Sequence, residues 1–137
     1  MRTVAVFKYS QAFDPDFGLV FEPIIPVAIA NADGVGLMLY PYIDSGADIT
    51  VLPYQFGAQL GLTPSSGKRI EFSGEGGGTV PLIVCIARLR IGKNDVIPVR
   101  VGWAQTDDAS LLLGRLDVFD HFTFEFNHAQ KEIRVKQ

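Results

Sequence analysis

An all-β domain with one or two short helices is what this sequence predicts, and three observations predict it. Glycine and proline, 14 and 8 of the 137 residues, interrupt the chain roughly every 8 to 15 residues, the spacing of turns between short strands. Between the interruptions stand β-branched and aromatic runs, residue types that fit a pleated, half-buried surface. Helical periodicity is scarce. The length fits one domain, able to bury about 68% of the surface its unfolded chain exposes without staples.

The elements follow in order. Val4 to Tyr9 reads as a first strand, followed by a loop through Asp14-Pro15-Asp16-Phe17-Gly18, where proline and glycine favour a turn. Residues 1–22 are expected to form an N-terminal extension packed on or beside a main domain of residues 23–137. Ile24 to Ala30 and Gly36 to Ile43 flank the turn signal Asn31-Ala32-Asp33-Gly34, a hairpin whose second strand delivers Asp44. Tyr54 to Leu60, closed by Gly61, is a short helix or helical turn. Lys68 to Phe72 and Thr79 to Arg90 flank the glycine-rich stretch Ser73 to Thr79 as a second hairpin. Arg88 to Ile91 and Val96 to Val101 alternate about Gly92-Lys93-Asn94-Asp95 as a third.

Composition narrows the function. The net charge is −3, and the basic residues are scattered, so the cationic footprint of a nucleic-acid binder is missing. No run approaches the roughly 18 apolar residues of a membrane-spanning helix. The single cysteine, Cys85, lies in the apolar run Leu82 to Ala87 and reads as a packed thiol. One cysteine forms no internal disulfide and suits a reducing compartment. Met1 to Tyr9 holds too few apolar residues for a signal-peptide core. A cytoplasmic location is the expectation.

The residues that carry chemistry centre on Asp44-Ser45-Gly46-Ala47-Asp48, flanked by apolar Tyr42-Ile43 and Ile49-Thr50-Val51-Leu52. A carboxylate between apolar runs is costly to bury. A turn at Ser45-Gly46 exposes Asp44 at a strand end, beside a hydroxyl and bare backbone.

This run resembles the active-site loop of aspartic proteases, particularly the single-domain retroviral type, the retropepsins. Leu111-Leu112-Leu113-Gly114-Arg115 resembles the family's second signature, an apolar strand ending in Gly-Arg that leads into a short helix, here around Leu116 to Phe122. Ser73 to Thr79 stands where the family carries its flap, a glycine-tipped hairpin. The resemblance runs from about Ile24 to about Val135 and departs at the N-terminal stretch, at Ser45 where many relatives have Thr, and at the C-terminus. There Phe122 to Phe126 and Lys131 to Val135, about Asn127-His128-Ala129-Gln130, resemble the closing hairpin of a pepsin lobe.

The resemblance implies a retropepsin-like β-barrel, one lobe per chain, that hydrolyses peptide bonds with two Asp44 carboxyls brought together in a homodimer. Two carboxyls at close range retain one proton, so one activates water while the other polarises the scissile carbonyl. The signature occurs once here, and a two-fold axis supplies the second copy. Ser45, Gly46 and Ala47 would support the active loop. Gly46, Asp48 and the flap glycines Gly76, Gly77 and Gly78 would contact a peptide or protein substrate, and Asp48 would also pair with Arg115. No metal and no organic cofactor are implied, nor a nucleic-acid or membrane partner. The alternative is an inactive retropepsin-like dimerisation or peptide-binding module.

Other chemistries fit less well. The glycine-rich stretch lacks the Lys-Ser/Thr of a phosphate-binding loop and precedes a strand. His121 and His128 lack partners at metal-ligand spacing. Ser45 and Cys85 as nucleophiles would need a positioned histidine that the sequence does not identify. Trp103 reads as a core or interface aromatic, and Asp107-Asp108 as a solvated loop.

Overall fold

The computed structural model of the protein describes residues 1–73 and 77–137. In chain order its strands are β1 (Thr3–Lys8), β2 (Ser10–Asp14), β3 (Gly18–Glu22), β4 (Val27–Ala30), β5 (Gly36–Leu39), β6 (Tyr42–Ile43) and β7 (Thr50–Leu52). The helix α1 (Tyr54–Gln59) and a 3-10 turn at Pro64–Ser66 follow. Then come β8 (Lys68–Ser73), β9 (Thr79–Arg90), β10 (Ile97–Ala104), β11 (Leu112–Leu113), β12 (Thr123–Asn127) and β13 (Glu132–Lys136).

One large sheet has the order β5-β4-β9-β10-β7-β11-β6, with β8 also paired to β9. The bridge Ile24↔Tyr42 joins the segment before β4 to β6. Alternation explains the sheet's two faces: along β9 and β10, Cys85, Ala87, Leu89, Ile97, Val99 and Val101 point inward and are buried, while Ile86, Arg88, Arg90, Pro98 and Arg100 face out. The inward residues join one main core cluster that draws on the chain from Tyr9 to Val135, while Ile49, Val51, Leu82 and Ala104 form a smaller second cluster.

Trp103 is a core residue, 2% exposed. Its indole Nε1 donates to the Tyr54 carbonyl at 3.0 Å, and its ring stacks on Tyr54. The helix comes this close because Gly57 faces the indole, where a Cβ would stand 2.2 Å from the ring. Asp107 secures the helix start, its Oδ1 accepting the Gln55 N–H at 2.7 Å; half of the acidic pair expected in a solvated loop therefore caps α1.

The chain ends form a second, three-stranded sheet, β1-β13-β12. Arg2 and Gln137 exchange backbone hydrogen bonds at 2.9 Å, so the terminal strands pair within one chain. The loop expected through Asp14 to Gly18 is the turn of a hairpin that sequence reading missed, β2 against β3. Asp14 Oδ1 holds this turn by accepting the N–H groups of Asp16 and Phe17.

One expected element differs. Leu116 to Phe122 is a succession of turns and not a regular second helix. Bonds from Phe119 N–H to the Arg115 carbonyl and from Phe122 N–H to the Val118 carbonyl give it helical fragments. Asp117, at φ 66°, lies in the left-handed region within the first of these fragments, a conformation that a regular helix does not contain.

Candidate active site

β6 and β7 lie on either side of β11, which runs parallel to β6 and antiparallel to β7. The chain leaves β6 at Ile43, turns through Asp44 to Ile49 and returns as β7, so this turn caps the end of β11. Three backbone bonds fasten it: Asp44 N–H to the Leu113 carbonyl at 3.0 Å, Arg115 N–H to Ala47 at 2.9 Å and Leu116 N–H to Asp48 at 2.9 Å. Glycine is required at 114 by close approach, since a Cβ there would stand 2.3 Å from the Ile49 carbonyl carbon and oxygen. Thr50, 0% exposed, accepts the Gly114 N–H on its hydroxyl at 3.1 Å. That residue was missed in sequence; its signal was a hydroxyl inside the apolar run Ile49 to Leu52.

Asp44 is half-buried at this strand end. Its Oδ1 accepts the Gly46 N–H at 2.8 Å, and its carbonyl accepts the Ala47 N–H at 3.2 Å. The turn thus orients its own carboxylate. Arg115 braces the turn from outside, Nη1 donating to the Ser45 carbonyl at 2.7 Å and Nη2 to Asp48 Oδ1 at 2.5 Å. Both partners of that pair are substantially exposed, 47% and 71% for their side chains, so its main effect is orientation more than stability.

A cleft of about 570 Å3 opens beside the turn, lined by Asp44 and Gly46, by Phe72 and Val80 of the β8–β9 hairpin, and by Asp108 and Leu112. Ala47 and Asp48 also face it. Asp108, read from sequence as loop, is a cleft residue. Ser45 is exposed and enters the site through its carbonyl. Gly77 and Gly78 are exposed beyond β8, and Gly76 lies outside the described residues. His121 bonds the Asp117 carbonyl through Nδ1 at 2.7 Å, and His128 packs edge-on against Tyr9; neither belongs to the cleft. Among the described residues no group of three or more His, Cys, Asp or Glu is arranged to hold a metal. Burial pushes the Cys85 thiol above its usual pKa, which leaves it a poor nucleophile. No helix among the described residues is long and apolar enough to cross a membrane.

An oriented carboxylate at a strand end, beside a cleft lined in part by a β-hairpin, belongs with aspartic protease folds. The family model described as "Aspartyl protease" matches residues 38–115, more than half of the chain and all of the turn, the cleft hairpin and the β11 clasp. This chain belongs to that family. Among solved structures it is similar to a retropepsin-like aspartic protease from Rickettsia conorii, with a TM-score of 0.64 and 16% identity over 96% of this chain and 98% of that one. It is also similar to the EIAV protease solved with the inhibitor HBY-793, with a TM-score of 0.55 and 24% identity over 73% of this chain and 86% of that one. These likenesses establish the retropepsin-like fold. The comparison with curated protein sequences gives no match.

Proposed function

We propose that the chain is an aspartic endopeptidase that works as a homodimer, with the two Asp44 carboxyls as its acid–base pair. The observation that supports this most is the Asp44 carboxylate itself, held by the Gly46 N–H at a strand end and lining a cleft of peptide-accommodating size. One carboxyl cannot act as base toward water and acid toward the carbonyl at the same moment, so the reaction needs a second. A two-fold axis beside the turn supplies it from an identical chain. Because β1 and β13 pair within one chain, the proposed dimer forms without exchanging these strands.

In this reading Ser45 and Ala47 support the loop, Gly46 and Asp48 meet the substrate backbone, and Asp48 with Arg115 keeps the loop in register. The glycine-tipped β8–β9 hairpin, with Gly76, Gly77 and Gly78, acts as the flap that admits a peptide and then excludes water. Residues 1–22 are an extension to the catalytic domain of residues 23–137. The setting is cytoplasmic, with which the single reduced thiol of Cys85 is compatible.

Purified protein should cleave an unfolded protein substrate at mildly acidic pH and sediment as a dimer, and Asp44→Asn should keep the melting temperature while abolishing cleavage. Hydrolysis that persists in the variant would remove Asp44 from the mechanism. A wild-type dimer without turnover would favour the peptide-binding module.

A further inference from the structure

Away from the cleft, the outer face of the large sheet carries an apolar trough of about 470 Å3. Strand register builds it. Ala28 stands between Met38 of β5 and Arg90 of β9, and Ala30 between Gly36 and Arg88. Two small side chains and a glycine thus form a floor, with Met38 on one side and Arg88, Arg90 and Val96 on the other. Met38 and Val96 are each 53% exposed.

The two arginines stand out by what they lack. Their neighbour on the same face, Arg100, is bound to Asp117. Arg88 and Arg90 have no carboxylate within ion-pair distance among the described residues. On a chain of net charge −3 they make a local cationic edge along an apolar trough. Being two apart on one strand face, they sit about 7 Å apart along it, the repeat at which an extended chain presents every second side chain.

We propose that this trough docks an extended acidic segment of a protein partner. Carboxylates at alternate positions would reach the two guanidiniums, and small apolar side chains would rest between Met38 and Val96. The proposal does not depend on proteolysis, because the trough shares no residue with the cleft.

The test is fluorescence anisotropy with the whole wild-type chain and a labelled peptide in which glutamate alternates with threonine and valine. Controls are a lysine-for-glutamate peptide, a peptide of the same composition with its glutamates in one block, and a single-stranded oligonucleotide. The alternating peptide should bind best, and added salt should weaken it. Arg88→Glu and Arg90→Glu should each weaken it about tenfold or more, since each sets like charges opposite. Both side chains are exposed, so melting temperatures should not move. Met38→Glu, on the opposite wall, should also weaken binding. Absent binding, equal binding of the lysine or blocked peptide, tighter binding of the oligonucleotide, or unchanged affinity in both arginine variants would each overturn the proposal.

Discussion

β9 and β10 pair without interruption from Ile97↔Leu89 to Ala104↔Leu82 across a short turn, whereas β6, β7 and β11 have two or three residues each and meet from distant parts of the chain. The long pair is held by many equivalent rungs. The short clasp that carries Asp44 is held by a few bonds, among them Gly114 to Thr50 across 64 positions. Losing one rung of a long ladder leaves its neighbours to hold register, but losing one contact in the clasp leaves nothing alongside to take its place. The site therefore sits where individual atoms matter most.

Two glycine substitutions break this comparison open with the largest effects. At Gly114 a new methyl would meet the Ile49 backbone at 2.3 Å, which cannot yield without moving the turn that carries Asp44. At Gly102, in β10, it would meet the end of the flexible Leu82 side chain at 2.8 Å. Overpacking against rigid backbone should make Gly114→Ala lose about 3 kcal/mol or more, and Gly102→Ala less than about 1.5 kcal/mol. Urea denaturation of both variants checks the difference; equal losses would mean that the clasp is no stiffer than the ladder.

A smaller effect isolates the polar part of the clasp. Thr50→Val keeps the side-chain shape and leaves the buried Gly114 N–H without its acceptor. The expected loss is about 1–3 kcal/mol, the cost of a buried donor left unpaired, with Thr50→Ser recovering part of it. If Thr50→Val is neutral, backbone contacts alone hold β11 between β6 and β7.

The same contrast decides what could be read from sequence. The β4–β5, β8–β9 and β9–β10 hairpins were legible because alternation and turn residues are local signals, and Tyr54 to Leu60 because a glycine closes it. The β2–β3 hairpin was not, since its outward face carries Phe13 and Leu19, 79% and 58% exposed, and apolar residues facing water obscure the alternation. The turns from Leu116 to Phe122 escaped because Asp117 takes a left-handed conformation that a helical pattern does not announce. At the site, Asp44 was visible as a carboxylate in apolar sequence. Thr50, Asp107 and Asp108 were not, because their roles come from partners more than fifty positions away or from the cleft wall.

Asp117 links the two regions, and its titration sharpens the comparison with the smallest effect. Its Oδ2 accepts the Arg100 N–H at 2.9 Å and Nε at 2.8 Å, and its Oδ1 accepts Nη2 at 2.9 Å, fixing the turn after the clasp to the outer face of β10. The side-chain hydrogen bonds from Arg100 lower the Asp117 pKa to about 2, against the partial desolvation that raises it. The unfolded value is about 3.9, so the folded state binds the proton less readily. The stabilisation is complete above about pH 5 and is lost as pH falls through 4 towards 2. Asparagine also tolerates the left-handed backbone, so Asp117→Asn removes the charge without forcing a new fold at 117. Its melting temperature should lie below the wild type's by a constant amount above pH 5, and the two curves should converge by about pH 2. A gap that stays constant down to pH 2 would show that geometry, and not the ionised pair, ties the clasp to the ladder.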